Sequence, residues 1–177
     1  MEIIACICEG TAERAVIEIL LENNLLSFRK EDLLEERVFS RTNARKFCLE
    51  HLNRNFNGNE IRIVRILDKK DEGFPIPKVY EKKISQNEVF CTRPEIEMLI
   101  IHSLGKYSDY IKHKTVIKPS EYCKGSLKIS NVKSYDFWKE HFKNVNDLIV
   151  ALRQYKSKHK FEQGENCILD LLIFDED

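Results

Sequence analysis

The sequence predicts an α/β fold, a mostly parallel sheet flanked by helices. The run "EIIACIC" is apolar at successive positions after its first residue, which is typical of a strand buried on both faces, and "EIRIVRIL" is a second strand-like run, rich in Ile and Val. Segments with helical spacing alternate with such runs along the first hundred residues. Glycine and proline clusters, such as "KKDEGFPIP", separate them. Alternating strands and helices favour a parallel sheet with helical crossovers.

The first half of the pattern begins with a strand over residues 2–8. Thr11 is predicted to cap the next helix, residues 12–24, because a threonine oxygen can accept a hydrogen bond from a first-turn N–H. A second strand is predicted over residues 36–42, and a helix over residues 44–56 ends at Asn57-Gly58. In the first helix the shared apolar face comprises Ala15, Val16, Ile19 and Leu20.

The second half continues with a strand over residues 60–68 and short strands over 78–84 and 87–92. A helix over 94–104 has Pro94 in its first turn. After Gly105 the pattern predicts one or two helices over 132–160 and a short helix or strand over 165–174. We therefore expect an α/β core over residues 1–105 and a mainly helical C-terminal elaboration over 106–177, packed on that core.

The composition is that of a globular protein: 177 residues, 42% hydrophobic, with 29 basic and 29 acidic side chains. No apolar stretch reaches the roughly 18 residues of a membrane span, so we expect no membrane partner and a cytoplasmic location. The six cysteines show no metal-binding spacing and are expected to be buried thiols. Basic residues concentrate in "KYSDYIKHKTVIK" and "RQYKSKHK". The sequence has no P-loop and no serine-hydrolase or dinucleotide-binding motif.

Acidic residues stand where two apolar strands end. Glu9 follows the first strand, and Asp68 follows the strand over 60–68, with Asp71 and Glu72 beyond it. If the two strands are neighbours, their tips place carboxylates side by side, at the edge where α/β sheets bind ligands. Carboxylates in one place repel one another unless a cation lies between them, and Mg²⁺ prefers such oxygen ligands. Gly10 is expected to allow a sharp turn and the close approach of a phosphate or metal.

These residues resemble a TOPRIM domain, the module of topoisomerases, primases and OLD-family nucleases. The stretch "CEGTAE", with Glu9 and Glu13, is similar to the glutamate motif of that family, and "LDKKDEG" resembles its Asp-x-Asp motif. Together with "TRPEIEMLIIH", they look like the RloB-like and abortive-infection TOPRIM proteins, which are linked to bacterial antiphage defence and often accompany an ATPase of the ABC/SMC type. The motifs cover roughly residues 1–105.

The resemblance implies a nuclease that uses Mg²⁺ or Mn²⁺ to cleave DNA or RNA. Its implied metal ligands are Glu9, Asp68, Asp71, Glu13 and Glu97, with Glu95 as an alternative to Glu97. Glu9 could instead act as a general base, and Glu13 and Glu97 could instead complement helix dipoles. The sequence departs from the pattern at Lys70, where Asp-x-Asp requires an acid. Either Asp71 serves through a bulged loop, or the second metal position is weakened.

Other side chains have two readings each. Lys118, Lys124 and Lys128 are candidates for neutralising a scissile phosphate, with Lys124 chosen as the catalytic one, or they are solvated. Among the aromatic residues of "SYDFWKEHF", Trp138 and Phe142 are expected in the core rather than stacked on bases. His102 is expected to be a satisfied core histidine rather than a catalytic one.

Two further functions stay open from the sequence. The first is a non-catalytic TOPRIM-like subunit that senses or docks an ATPase partner, its metal site weakened at Lys70. The second is phosphotransfer or phosphatase chemistry on small phosphate esters at a similar acidic site.

Overall fold

A computed structural model describes residues 2–173 and contains a five-stranded, all-parallel sheet with helices on both faces. The predicted α/β class is therefore confirmed. The strand order is β2-β1-β3-β4-β5, so β1 and β3 are neighbours. The strands are β1 (Ile3–Cys8), β2 (Phe39–Ser40), β3 (Ile61–Leu67), β4 (Ile84–Cys91) and β5 (Asn166–Cys167).

Eight α-helices accompany the sheet in the part of the chain that the structure describes. They are α1 (Thr11–Glu22), α2 (Ala44–His51), α3 (Lys78–Glu81), α4 (Met98–Ser103), α5 (Tyr107–Tyr110), α6 (Pro119–Gly125), α7 (Tyr135–His141) and α8 (Val145–Lys158). Short 3₁₀ turns lie at Lys30–Asp32, Leu34–Glu36 and Ile168–Leu171.

The sheet separates two apolar clusters, because successive side chains of a strand point to opposite faces. Cys6 of β1 and Ile66 of β3 belong to the larger cluster, which α1, α4, α7 and α8 cover. Ile7 and Ile63 face the smaller cluster, beneath α2 and α3. Both central strands are thus buried on both faces, as the apolar run of β1 predicts, although β3 also contains Arg62 and the buried Arg65.

The segment after Gly105 is mainly helical, and it also completes the sheet through β5. Its helices α7 and α8 pack on α1 and α4, so one apolar cluster extends across residue 105. Trp138 and Phe142 are fully buried, which confirms their predicted place in the core. The predicted division of the chain at residue 105 stays a prediction.

Several local predictions are wrong. Gly10 stands at the N-cap of α1, and Thr11 is its first helical residue, so the Thr11 side chain caps nothing. Residues 78–81 form helix α3 instead of a strand, a stretch too short for periodicity to distinguish the two. Pro94 precedes α4, which begins only at Met98. Of the strand predicted over residues 36–42, only Phe39–Ser40 pairs, since β2 is a short edge strand.

The other broad predictions agree with the structure. Residues 132–160 form the two helices α7 and α8, and the tail combines β5 with a 3₁₀ turn. The last residue of the predicted tail, Phe174, lies outside the described residues. All six cysteines are buried and free. No helix within residues 2–173 has the length and apolar character needed to cross a membrane.

Replacing Trp138 with Ala is expected to lower the free energy of unfolding by about 3 to 5 kcal/mol. The indole is fully buried, and its Nε1 donates a hydrogen bond to the Val132 carbonyl at 2.7 Å. Urea unfolding followed by circular dichroism measures the change. Val150→Ala, on the exposed side of α8, is the control and should shift the value by no more than about 0.5 kcal/mol. A Trp138→Ala loss as small as that of the control would contradict the assignment.

Candidate functional site

A cleft of about 300 Å³ lies at the carboxyl ends of β1 and β3 and is called the acidic cleft here. In open α/β sheets this edge is where ligands bind. Four of its side chains are glutamates and one is an aspartate, whereas Lys133 is its one basic residue among residues 2–173. Its lining comprises Glu9, Gly10, Thr11, Ala12, Glu13, Asp68, Glu95, Ile96, Glu97 and Lys133. The sequence-predicted acids Glu9, Asp68, Glu13 and Glu97 therefore come together.

Glu9 connects the tips of the two central strands. Its backbone N–H donates to the Ile66 carbonyl at 2.9 Å, which extends the β1–β3 pairing by one residue. Its Oε2 accepts a hydrogen bond from the Asp68 backbone N–H at 2.8 Å. Its Oε1 accepts one from Arg41 Nη1 at 2.6 Å, and the other end of that guanidinium contacts Glu72 at 2.7 Å. The Glu9 carboxylate is thus fixed in position by two donors.

Glu13 is a buried acid in the first turn of α1, with 7% of its surface exposed. Burial, followed by the charges of Glu97, Glu9 and Asp68, raises its pKa to about 7, against the opposing effect of a backbone hydrogen bond. An acid with this pKa can hold or release a proton near neutral pH. This property distinguishes Glu13 from an ordinary acid that complements a helix dipole.

Gly10 is needed for space rather than for a turn. The chain bends at residues 9 and 10 as predicted, but the Gly10 φ of −137° is an extended conformation that any residue adopts, so the bend itself does not require a glycine. A Cβ at this position would lie 2.8 Å from Glu13 Oε2. A side chain on residue 10 would therefore push the Glu13 carboxylate out of its place.

Asp68 has a buried carboxylate oxygen, Oδ1, with no hydrogen-bond partner among residues 2–173. Burial and the adjacent carboxylate of Glu9 raise the pKa of Asp68, while Lys69 and Arg41 lower it. Two ionised carboxylates have no hydrogen to share, so the pair attracts either a proton or a cation. Asp68 thus has an unsatisfied acceptor oxygen and is a lining residue of the acidic cleft.

Glu97 and Glu95 enter the cleft from the loop before α4. Glu97 is 4% exposed, and burial followed by the Glu95 charge raises its pKa. The charges of Lys133 and Lys124 oppose that shift. Glu95 is held by the Ser120 backbone N–H, which donates to its Oε2 at 2.8 Å. Lys124 is exposed on α6 and acts on the cleft through its charge, without lining it.

Lys70 and Asp71 do not join the cleft. Lys70 pairs with Glu162 at 3.2 Å and donates to the Gln163 carbonyl at 3.4 Å, so it faces the C-terminal segment. Asp71 is exposed and absent from the cleft lining. The loop therefore does not bulge in the way that would bring Asp71 to the other acids.

A second cleft, of about 420 Å³, shares Glu9, Gly10 and Thr11 with the acidic cleft and is called the arginine cleft here. Its remaining lining residues are Cys8, Arg14, Ser40, Arg41 and Tyr135. Arg14 is bound to Glu18, and Arg41 is bound to Glu9 and Glu72. A guanidinium can bind phosphate oxygens in a bidentate manner, so this surface suits a phosphate group beside the carboxylates.

No sequence pattern points to Arg41 or Lys133. Each is a single basic residue in a loop, without a motif around it. Arg41 could have been suspected only because it is near the end of the second strand, predicted over residues 36–42, at the same edge as Glu9.

The donor set fits a divalent cation of the Mg²⁺ type in one respect and not in another. Within residues 2–173, no three Asp, Glu, His or Cys side chains are close enough together to bind one ion. Mg²⁺, however, is commonly held by one or two carboxylates with several waters and substrate phosphates. Glu9 and Asp68 supply two adjacent carboxylates, one of them with an unpaired oxygen. Glu9 and Asp68 would therefore be the two residues that hold such an ion, with waters and substrate phosphates as its other ligands.

Comparison with known proteins finds no match for the chain among protein-family models, curated proteins or solved structures. The resemblance to TOPRIM domains thus depends on the short motifs around Glu9, Asp68 and residues 92–102.

Glu13→Gln is expected to flatten the pH dependence of stability. The folded pKa, about 7, lies above the ordinary value of 4.5, so the folded state binds the proton more tightly than the unfolded one. Stability contributed by protonated Glu13 is complete below about pH 4.5 and is lost as pH rises through 7. The full loss of folding free energy is about 3 kcal/mol, because the pKa rises from 4.5 to about 7 and each pH unit between these values corresponds to about 1.36 kcal/mol.

Urea unfolding with a chelator present, at pH 5 and at pH 8, measures this effect. The Gln variant should gain stability relative to wild type on going to pH 8. Glu81→Gln, an exposed acid on α3, should follow the wild type at both pH values. A constant difference between Glu13→Gln and wild type across this range would show that Glu13 has an ordinary pKa.

Proposed function

We propose that the protein is a divalent-metal-dependent nuclease that cleaves phosphodiester bonds of DNA or RNA. The observation that supports this most is the Glu9–Asp68 pair, because Asp68 has a buried oxygen without a hydrogen-bond partner in the described part of the chain. The pair lies between Glu13, whose pKa is about 7, and the two arginines of the arginine cleft. Acidic and basic clefts that share Glu9 suit a substrate that carries a phosphate and needs a cation. The TOPRIM-like motifs point to the same chemistry.

Each residue has a proposed task at this site. Glu9 and Asp68 hold the cation, which when bound would orient a water and stabilise charge on the phosphate. Glu13, with its pKa near 7, accepts the proton released during hydrolysis. Arg41 and Arg14 bind the non-bridging phosphate oxygens. Lys133 and Lys124 reduce the negative charge that a nucleic acid meets at Glu97.

The wider setting is proposed from the resemblance. The chain would act in the cytoplasm as the effector of an antiphage or abortive-infection system, beside an ABC/SMC-type ATPase. Since the sequence has no P-loop, any ATP hydrolysis would belong to that partner.

A non-catalytic TOPRIM-like subunit is the second candidate, and one observation favours it. Arg41 contacts Glu9 at 2.6 Å and thereby occupies one of the two oxygens that a cation would need. Lys70, at the position of the expected second acid, is bound to Glu162 instead. Under this alternative the guanidinium replaces the metal, and the site is structural. Phosphatase or phosphotransfer activity has no separate observation in its favour.

Nuclease activity is expected with Mg²⁺ or Mn²⁺ on single- or double-stranded DNA or RNA, and Glu9→Gln or Asp68→Asn should lower it at least about a hundredfold. The loss follows because each substitution removes a charged cation ligand. Asp71→Asn should retain most of the activity, since Asp71 is exposed outside the cleft. Gel assays with labelled polymers, with and without a chelator, measure the rates.

Glu81→Gln serves as the matched acid-to-amide control for these variants. Cleavage that persists in both Glu9→Gln and Asp68→Asn would place the active site elsewhere. If neither the chain alone nor the chain with a candidate ATPase cuts any polymer, the nuclease proposal fails.

Cation binding is expected to stabilise the fold independently of any activity. With Mn²⁺ at about a hundred times its Kd, the free energy of unfolding should rise by about 2.7 kcal/mol. Asp68→Asn should abolish the increase, whereas Glu81→Gln should keep it. Thermal unfolding with increasing Mn²⁺ measures this. A rise of equal size in Asp68→Asn would show that the ion binds at another place.

A further inference from the structure

A cleft with a volume of about 1060 Å³ lies beside the acidic cleft. Both basic runs of the sequence, "KYSDYIKHKTVIK" and "RQYKSKHK", contribute to its walls. They are distant along the chain, and the packing of α4 on α8 brings them together. The cleft is called the lysine cleft here, after Lys114, Lys118, Lys158 and Lys160.

These four lysines are exposed, and none of them forms an ion pair with another residue between 2 and 173. The acids in the same walls are already engaged. Glu162 contacts Lys70 and Arg93, while Glu121 accepts a hydrogen bond from the Lys118 backbone N–H at 3.1 Å. The lining therefore has five basic side chains against two acids, and this excess of positive charge attracts an anion.

Aromatic rings form a second component of the walls. Tyr107 stacks on His102 with ring centroids 4.7 Å apart and planes at 15°, and Tyr155 stacks on His159 at 5.2 Å and 23°. His102 and His159 each have a buried Nε2 with no hydrogen-bond partner in the described part of the chain. His102 is thus buried as predicted, but it is not satisfied.

The lysine cleft and the acidic cleft have a common wall. Residues 93–97 supply Arg93 and Pro94 to the former and Glu95, Ile96 and Glu97 to the latter. The Glu95 carboxylate is bound to the Ser120 backbone N–H, next to Lys118 and Pro119 of the lysine cleft. A chain of nucleotides that leaves the acidic cleft over this wall would meet the lysines next.

We propose that the lysine cleft binds a nucleoside phosphate, with its phosphate on the lysines and its base stacked on the Tyr107 ring. Lysines alone would suit any anion, and rings alone would suit any flat apolar molecule. Their combination selects a ligand with both parts, and stacking tolerates every base. This nucleoside phosphate is either part of a single strand whose cleavage point lies in the acidic cleft or a free nucleotide. The single-strand alternative rests on the proposed nuclease function, whereas the free-nucleotide alternative does not.

Fluorescence anisotropy of labelled single-stranded DNA and RNA oligonucleotides, with a chelator present to prevent cleavage, tests the proposal. Lys114→Gln/Lys118→Gln should weaken binding about tenfold at low salt and reduce the slope of log K against log salt by about 1.4, or 0.7 per phosphate contact. Tyr107→Ala should weaken binding about tenfold, and Tyr107→Phe should retain it, because the ring is what stacks.

Lys78→Gln/Lys82→Gln is the matched control, because it removes two exposed lysines on or next to α3, on the opposite face of the sheet. Displacement of the oligonucleotide by AMP or ATP would identify a free-nucleotide site. Displacement only by longer strands would identify a strand-binding path. Equal binding by wild type and Lys114→Gln/Lys118→Gln, or displacement by inorganic phosphate as readily as by nucleotides, would overturn the proposal. Oligonucleotide binding without any oligonucleotide cleavage in Mg²⁺ would contradict only the nuclease proposal.

Discussion

The parallel pairing of β1 with β3 is the constraint on which the rest of the site depends. The register matches Cys8 with Ile66, and the Glu9 N–H adds one more bond to the Ile66 carbonyl. Glu9 and Asp68, which are 59 residues apart in sequence, therefore meet at one edge of the sheet. A slip of one residue would turn one acid toward the opposite face, because side chains alternate along a strand.

The site concentrates negative charge, and its surroundings compensate for only part of it. Arg41 neutralises Glu9 and Glu72, and Lys133 lies at the same cleft as Glu97. Burial, followed by the neighbouring acids, raises the pKa of Glu13 and that of Asp68. Within residues 2–173 neither has a basic side chain bound to it, which leaves a local deficit of positive charge. A proton on Glu13 or a cation near Asp68 relieves it in chemically different ways. The folded chain thus favours the arrival of positive charge at this edge.

The sequence was sufficient to predict the central strands and their acids. A parallel strand buried on both faces is rich in apolar residues, and Glu9 and Asp68 follow directly where these two apolar stretches end. The sequence could not decide between helix and strand for the tail that contains β5, since two paired residues carry no periodicity. It also could not predict the partner of Lys70, because Glu162 is 92 residues away and belongs to a loop. Helix α3 was mistaken for a strand for the same reason: four residues are fewer than two helical turns. What was missed depends on tertiary contacts that leave no local pattern.

The zero net charge of the chain conceals a separation of charge in space. Equal numbers of acidic and basic residues would give a weak field if they were mixed, yet the fold collects carboxylates at the ends of β1 and β3 and lysines on the other side of residues 93–97. A polyanion is repelled by the first surface and attracted by the second. It would therefore reach the carboxylates most readily when it is held by the lysines and a cation is already bound, which makes the two clefts interdependent if both serve one substrate.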